Sequence, residues 1–200
     1  MIKTLFLDVG GVLLTNGWGR ASRKLAAEKF GLDFAELDER HHLTFDSYEV
    51  GKLPLDGYLD RVIFHAPRDF TRDAFKAFMF SRSQPHPEML ALVGELKARH
   101  GLRVATISNE GRELTEHRIH AFQLDRLVDC FVSSSFAHLR KPDADLFHLA
   151  MDVAMCAPED GAYVDDRELF VEVAAGLGLN AIHHVSVEET RRALARLGLD

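Results

Sequence analysis

Four short segments, far apart in the sequence, carry side chains that can do chemistry. They are Asp8, Ser108-Asn109, Lys141 and Asp165-Asp166. Carboxylates that lie close together repel one another unless a cation sits among them, and hard oxygen ligands of this kind suit Mg²⁺. A lysine and a serine beside them would hold an anionic substrate oxygen. An ionised carboxylate, a metal and donors for phosphate oxygens are the parts that phosphoryl transfer needs.

The strands of a parallel sheet would bring these segments together. The stretch from Thr4 to Asp8 takes an apolar run to a carboxylate, and the glycines that follow let the backbone turn sharply. From Pro85 onward helices and strands alternate, which indicates a parallel sheet with crossover helices. We predict further strands at 103–107, 130–133, 162–164 and 180–183. The ligand crevice of such a sheet lies at the carboxyl ends of its strands, so we expect the segments to converge there.

The stretch between the first strand and Pro85 has a different pattern of apolar residues. Its apolar residues recur at helical spacing, with no convincing strand. We predict helices at 20–30, 33–50, 55–65 and 71–81. The predicted fold class is therefore α/β, a doubly wound, Rossmann-like parallel sheet with an inserted helical bundle. The domain boundaries follow, with a core formed by 1–14 and 85–200 and a helical insertion at 15–84.

Composition excludes several classes of protein. The 200 residues are 46% hydrophobic and 28% charged, as in ordinary globular chains, and the net charge is -7. A negative chain is a poor partner for nucleic acid or for an anionic membrane. Two cysteines are too few for a disulfide framework, the N-terminus does not read as a signal peptide, and no run of about 20 apolar residues occurs. We therefore expect a cytoplasmic protein.

The motifs, in their order, resemble those of a known family. The stretches Asp8-Val9-Gly10-Gly11-Val12, Ser108-Asn109, Lys141-Pro142 and Asp165-Asp166 are similar to the four motifs of the haloacid dehalogenase superfamily, and the insertion resembles its α-helical cap class. The resemblance covers essentially the whole chain. It implies that Asp8 is the nucleophile that takes a phosphoryl group and that Ser108 donates to the phosphate. It also implies that Lys141 neutralises charge on the nucleophile and on the phosphate.

The same resemblance implies a metal site, and position in the chain suggests substrate contacts. Mg²⁺ would be held by Asp8, Asp165, Asp166 and the backbone carbonyl of Gly10. We expect substrate contacts from residues near the nucleophile and at the entry to the insertion, namely Gly10, Gly11, Asn109, Trp18 and Arg20.

Two positions depart from the family pattern. Phosphatases of the family usually carry an Asp at the position of Gly10, where it protonates the leaving oxygen and then activates water. General acid-base catalysis is typically worth about 10² to 10⁴ in rate, so this departure has the larger consequence. His41 and His42 of the insertion are candidate replacements. The second departure is Phe170, which occupies a position that is often Asn.

Three functions fit these observations. The first is a Mg²⁺-dependent phosphatase that hydrolyses a small phosphorylated metabolite through an aspartyl-phosphate on Asp8, as a monomer or homodimer. The second is a 2-haloacid dehalogenase, in which the same Asp attacks carbon and Trp18 and Arg20 help to hold halide. The third is a weakly active or inactive phosphate-binding regulatory protein, for which Gly10 is the evidence.

Overall fold

A five-stranded parallel sheet forms the centre of the computed structural model, which describes all residues from Met1 to Asp200. The strands are Thr4–Leu7 (β1), Arg103–Ser108 (β2), Cys130–Ser133 (β3), Gly161–Asp165 (β4) and Asn180–His183 (β5). They pair in the order β3-β2-β1-β4-β5, and every pairing is parallel. This arrangement confirms the predicted α/β fold class.

Ten α-helices surround the sheet or form the insertion. The insertion contains Arg20–Phe30 (α1), Phe34–Glu49 (α2), Leu55–Val62 (α3) and Arg72–Ser81 (α4). The remaining helices are Pro87–His100 (α5), Arg112–Ala121 (α6), Ser134–Ala137 (α7), Ala144–Val153 (α8), Glu168–Gly176 (α9) and Val187–Arg196 (α10). No helix is both long enough and apolar enough to cross a membrane.

Alternating side chains of β1 build the core on both faces of the sheet. Leu5 and Leu7 join a cluster that includes Met89 of α5 and Leu194 of α10, whereas Phe6 joins a second cluster with residues of α8 and α9. Successive side chains of a strand point to opposite faces, so an apolar run such as this one suits a central strand covered by helices on both sides. β1 is therefore a rigid central support for the residue that follows it.

The helical insertion has its own apolar cluster, rich in aromatic side chains. Trp18, Tyr58 and Phe75 are buried in it, and the rings of Trp18 and Phe75 meet edge to face at 5.7 Å between centroids. Two antiparallel connections join the insertion to the sheet, where the Thr15 amide donates to the Gln84 carbonyl at 2.8 Å and the His86 amide donates to the Leu13 carbonyl at 2.9 Å.

The structure differs from the sequence prediction mainly at element ends. The third predicted helix stops at Val62 instead of residue 65, and β2 and β4 each reach one residue further toward the carboxyl side than predicted, to Ser108 and Asp165. The short helix α7 was not predicted. It contains only four residues, Ser134–Ala137, and so is too short for a helical apolar period to be visible.

Candidate active site

Strand register brings the chemical residues to one edge of the sheet. Leu7 of β1 pairs with Thr106 of β2 and with Val164 of β4, so Asp8 lies beside the ends of both neighbouring strands. The Asp8 amide continues the ladder by donating to the Val164 carbonyl at 2.9 Å. The carboxyl ends of three adjacent strands thus present Asp8, Ser108 and Asp165 together.

The ammonium group of Lys141 lies at the centre of this edge. Its Nζ is 2.9 Å from Oδ1 of Asp8, 2.7 Å from Oδ2 of Asp165 and 3.2 Å from the hydroxyl of Tyr163, which also donates to Asp165. The residue is 1% exposed. A buried ammonium requires charged partners, and these two carboxylates provide them.

Burial and the neighbouring charges perturb both members of the pair. Burial raises the pKa of the Asp8 carboxyl to about 7, with Lys141 opposing the rise and Asp165 adding to it. Burial alone would lower the pKa of Lys141, but Asp8 and Asp165 outweigh it and hold that pKa above its ordinary value. The buried carboxylates are therefore not fully offset by one lysine, and a further cation would favour their ionised forms.

Three carboxylates at this edge can hold a metal ion. One oxygen each from Asp8, Asp165 and Asp166 lie within 4.8 Å of one another. Oδ1 of Asp166 is buried and has no hydrogen-bond partner in the protein. A buried carboxylate oxygen without a donor is costly, and a hard cation that takes oxygen ligands would satisfy it. The donor set therefore fits a divalent cation of the Mg²⁺ type.

Gly11 leaves room for the Asp166 carboxylate in this cluster. Its φ is 89°, a value that favours glycine, and a Cβ at this position would collide with the Asp166 carboxylate. The side-chain amide of Asn16 also lies 3.4 Å from Oδ2 of Asp166. The second glycine of the first motif is thus required by backbone conformation and by close approach.

We expect Gly11→Ala to weaken metal binding and to destabilise the fold. A non-glycine residue in the left-handed region costs roughly 1–2 kcal/mol, and displacement of Asp166 adds to that cost. Gly31→Ala is the matched control, because Gly31 has φ 61° but open space around its Cβ position. Thermal melts with and without Mg²⁺ check this. If both variants melt alike and keep the same response to Mg²⁺, the close approach to Asp166 has no role.

Asn109 and Ser108 have different surroundings. The side chain of Asn109 fixes the backbone of Lys141 in both directions, since its Nδ2 donates to the Lys141 carbonyl at 2.9 Å and its Oδ1 accepts from the Lys141 amide at 2.8 Å. Ser108 is buried at the end of β2, in register with Ser133. Asn109 therefore positions the lysine loop against the sheet, and its role as a substrate contact stays a prediction, as does that of Ser108 as a phosphate donor.

A cavity of about 490 Å³ lies between this edge and the helical insertion. Charged and polar side chains form most of its wall, including Asp8, Lys141, Asp166, Asn109, Arg20, Arg23, His41, Glu49, Glu110, Arg118 and Arg140. Gly10 and Trp18 also line it, whereas Ser108 and Gly11 do not. The cavity is small and carries more cationic than acidic groups, so it suits a small anionic molecule.

Trp18 and Arg20 reach the cavity from the start of the insertion in different ways. Trp18 is mostly buried in the aromatic cluster, where its Nε1 donates to the hydroxyl of Tyr58 at 2.8 Å. Arg20 is largely exposed and lies 3.5 Å from a carboxylate oxygen of Asp38. Arg20 is thus a rim residue, and Trp18 supports the wall from within the insertion.

Comparison with known proteins gives the family. A family model described as a haloacid dehalogenase-like hydrolase matches residues 2–178. The chain belongs to the haloacid dehalogenase-like hydrolases. A search of curated proteins finds no match to this chain.

Solved structures of the same family have the same fold. A haloacid dehalogenase family enzyme from Bacteroides thetaiotaomicron, solved with magnesium and inorganic phosphate, is 21% identical, with a TM-score of 0.76 over 92% of this chain and 94% of that one. A predicted haloacid dehalogenase-like family hydrolase from Porphyromonas gingivalis is 18% identical, with a TM-score of 0.78 over 100% of this chain and 99% of that one. The L-2-haloacid dehalogenase from Xanthobacter autotrophicus, with chloropropionic acid covalently bound, is 15% identical, with a TM-score of 0.65 over 100% and 85%. At these identities the likeness establishes the fold alone.

Phe170, one of the two departures from the haloacid dehalogenase pattern, packs beside the lysine. The Nζ atom of Lys141 lies 5.0 Å from the centroid of the Phe170 ring. A cation over an aromatic face is attracted by the ring, and this ring also helps to exclude water from the ammonium. The aromatic residue therefore covers Lys141 where family members often have an amide.

Several residues of the site were not identified from the sequence. Tyr163 had a usable signal, since it stands two residues before Asp165 on the same strand and so faces the same side. Arg118, which is fully buried and paired with Glu110, had none, because it lies in an unremarkable helix and reaches the first motif only through tertiary packing. Glu49 at the end of α2 also had no sequence signal, because tertiary packing alone places it at the site.

Proposed function

We propose that this chain is a Mg²⁺-dependent phosphoric monoester hydrolase that acts on a small phosphorylated metabolite. The observation that carries the proposal is the cluster of Asp8, Asp165 and Asp166, beneath a small polar cavity and with Lys141 in contact with the first two. When bound, Mg²⁺ would offset negative charge on the phosphoryl group and on the carboxylates.

The residues of the chain have separate tasks in this reaction. A carboxylate oxygen of Asp8 attacks phosphorus, the bond to the leaving oxygen breaks, and an aspartyl-phosphate forms on Asp8. Lys141, held by Asn109 and covered by Phe170, keeps its proton and offsets charge on the phosphoryl oxygens. Water then hydrolyses the aspartyl-phosphate and restores Asp8.

The third acid of the cluster supports a phosphorylated substrate over a haloacid. Both substrates are anions, but displacement of halide by a carboxylate needs no metal. Here a third acid, Asp166, stands beside Asp8 and Asp165 with a buried oxygen that lacks a donor. A cation in the cluster would satisfy that oxygen.

Phosphate release from an aryl phosphate and from a panel of sugar phosphates, nucleotides and phosphoacids tests the proposal. We expect turnover that requires Mg²⁺ and stops on addition of a chelator. Halide release from a 2-haloacid in the presence of chelator would instead favour dehalogenation. Tight phosphate binding without turnover of any panel member would favour a binding or regulatory protein.

Metal binding should also be visible as stabilisation. A ligand that binds only the folded state adds about 2.7 kcal/mol at 100 times its Kd. We therefore expect Mg²⁺ to raise the melting temperature of the wild-type protein and a chelator to reverse the rise. Asp166→Asn should lose most of the response, because it removes one of the three carboxylates. An unchanged melting temperature at millimolar Mg²⁺ would contradict a metal site in this cluster.

A further inference from the structure

The surroundings of Gly10 contain no proton donor for a leaving group. A Cβ at Gly10 would stand 3.3 Å from Oδ1 of Asn16 and 3.5 Å from Nη1 of Arg118. An amide is not an acid, and a guanidinium group does not release its proton in proteins. If the chain is a phosphatase, as proposed above, the proton must come from elsewhere on the cavity wall.

Three of the four acidic side chains on that wall are already engaged. Asp8 and Asp166 belong to the carboxylate cluster. Glu110 uses both of its oxygens, since Oε1 pairs with Arg118 and Oε2 accepts from Thr115 at 3.3 Å. The remaining acid is Glu49, the last residue of α2.

The two histidines that the sequence suggests are poorly suited to protonate a leaving group. Burial lowers the pKa of His41 to about 3, so the ring is neutral near pH 7, and its Nδ1 shares a hydrogen bond with the Tyr58 hydroxyl at 2.8 Å. His42 is exposed, and its Nδ1 is 2.6 Å from the Asp38 carbonyl. Neither presents an acidic proton that is shielded from solvent.

Glu49 is held in place by the loop that carries Lys141. Its side chain is 9% exposed, and its Oε2 lies 2.8 Å from Nη2 of Arg140, out of line for a hydrogen bond. Its backbone carbonyl accepts from the hydroxyl of Ser134 at 2.6 Å. Arg140 is followed directly by Lys141, whose Nζ contacts Asp8 at 2.9 Å. One short loop therefore ties the Glu49 carboxyl and the nucleophile to the same cavity.

Burial favours a Glu49 carboxyl that keeps its proton near neutrality, and the charged groups around it act in both directions. They come from three elements and are Asp46 on its own helix, Glu110 after β2, and Arg140 and Lys141 before α8. Burial raises the pKa of Glu49 to about 7; Asp46 and Glu110 add to the rise, and the two cations oppose it. The nearby His138 has its Nδ1 engaged 2.8 Å from the Val50 carbonyl.

We propose that Glu49 is the general acid and base that replaces the side chain missing at Gly10. In the first step the bond between phosphorus and the leaving oxygen breaks, its electron pair goes to that oxygen, and the Glu49 carboxyl gives the oxygen its proton. In the second step the Glu49 carboxylate takes a proton from the water that attacks the aspartyl-phosphate. The bond from phosphorus to Asp8 then breaks, and both carboxyl groups return to their starting states.

Glu49→Gln separates this role from a structural one through its dependence on the leaving group. The two substrates are 2,4-dinitrophenyl phosphate, whose leaving group needs no proton, and the alkyl phosphate that the wild-type enzyme turns over fastest in a panel of sugar and polyol phosphates. We expect kcat/KM for the alkyl phosphate to fall by about 10² to 10⁴ and kcat/KM for the aryl phosphate to stay within about threefold. Hydrolysis of the intermediate should slow, which gives a burst of dinitrophenolate.

The pH profile gives a second readout. Glu49 must be protonated for the first step, so wild-type kcat/KM for the alkyl phosphate should fall as the pH rises through about 7. Glu49→Gln should lack this limb. Asp46→Asn is the matched control, because it removes the other carboxylate that pairs with Arg140, from an exposed position. It should keep the limb that Glu49→Gln loses, with the midpoint moved to lower pH, because Asp46 adds to the rise in the pKa of Glu49.

Each outcome decides a different point. An equal loss for both substrates, or no loss for either, would overturn the role of Glu49 while the phosphatase function stands. The role of Glu49 would also be overturned if the wild-type enzyme turned over the aryl phosphate alone, because an enzyme with a functional general acid hydrolyses alkyl esters. Absence of turnover with any phosphate ester would overturn the phosphatase function and the role that rests on it. Circular dichroism establishes that the variants are folded.

Discussion

Asp8→Asn is expected to abolish phosphate release. An amide oxygen is a far weaker nucleophile than a carboxylate, and the covalent intermediate proposed on Asp8 could not form. Loss of a nucleophile costs other enzymes about 10⁶ in kcat, so residual turnover should fall below detection. Rates measured with the best ester of the panel check the loss, and mass spectrometry of acid-quenched wild-type enzyme should find phosphate on the peptide that contains Asp8.

The variant should remain folded, so that the loss can be assigned to chemistry. Asn has nearly the same shape as Asp, and Lys141 keeps its second carboxylate, Asp165, at 2.7 Å. Asp33→Asn is the control for the substitution itself, because Asp33 caps α2 from an exposed position and Asn caps helices equally well. Activity that survived Asp8→Asn would refute the covalent mechanism, whatever the behaviour of the control.

The fold and the residues at the strand ends could be read from the sequence because they depend on local patterns. The apolar run of β1 ends where Asp8 begins, and parallel register then places Asp165 beside it without further information. Lys141 was identified by its place in the order of motifs. The resemblance to the haloacid dehalogenase superfamily rests on the same local signals, and the family match over residues 2–178 confirms it.

The contacts between the insertion and the sheet could not be read in this way. Glu49 ends an ordinary amphipathic helix, and only the docking of that helix on α7 and on the Arg140 loop buries its carboxyl. Trp18 precedes a helix in the sequence, yet its ring packs among aromatic residues from two other helices. Such positions are set by tertiary packing, which leaves no period or spacing in the chain.

Gly10 illustrates the same limit. The sequence shows only that this position lacks an acid. In the structure the space beside Gly10 is occupied by Arg118, which donates to Ser83 at 3.0 Å and to the Thr15 carbonyl at 2.9 Å. An Asp introduced at Gly10 would meet this guanidinium group, which would lower the pKa of the new carboxyl and make it a poor acid. Gly10 therefore belongs to a local network that includes Arg118 from α6, a helix of the core.

Lys141→Met should destabilise the protein more than any surface substitution. It leaves Asp8 and Asp165 buried beside each other without the ammonium that now contacts both. Removal of one partner from a buried ionic cluster costs about 3–5 kcal/mol, which in a chain of this size lowers the melting temperature by roughly 6–20 °C. Lys97→Met is the matched control, because Lys97 pairs with Asp129 at 2.7 Å near the surface, where a pair is worth about 1 kcal/mol or less.

A second substitution tests whether uncompensated charge causes the loss. Asp8→Asn removes one of the two carboxylates that Lys141 neutralises, so it should cost much less stability in the Lys141→Met background than in the wild-type background. The difference between the two costs is the coupling energy of a double-mutant cycle, and for residues in contact we expect about 0.5–3 kcal/mol. Mg²⁺ should protect Lys141→Met more than the wild-type protein, because a cation among the carboxylates supplies the charge that the lysine no longer does. Additive effects of the two substitutions would show that Lys141 stabilises the fold by packing against Phe170 and Tyr163 and not through its charge.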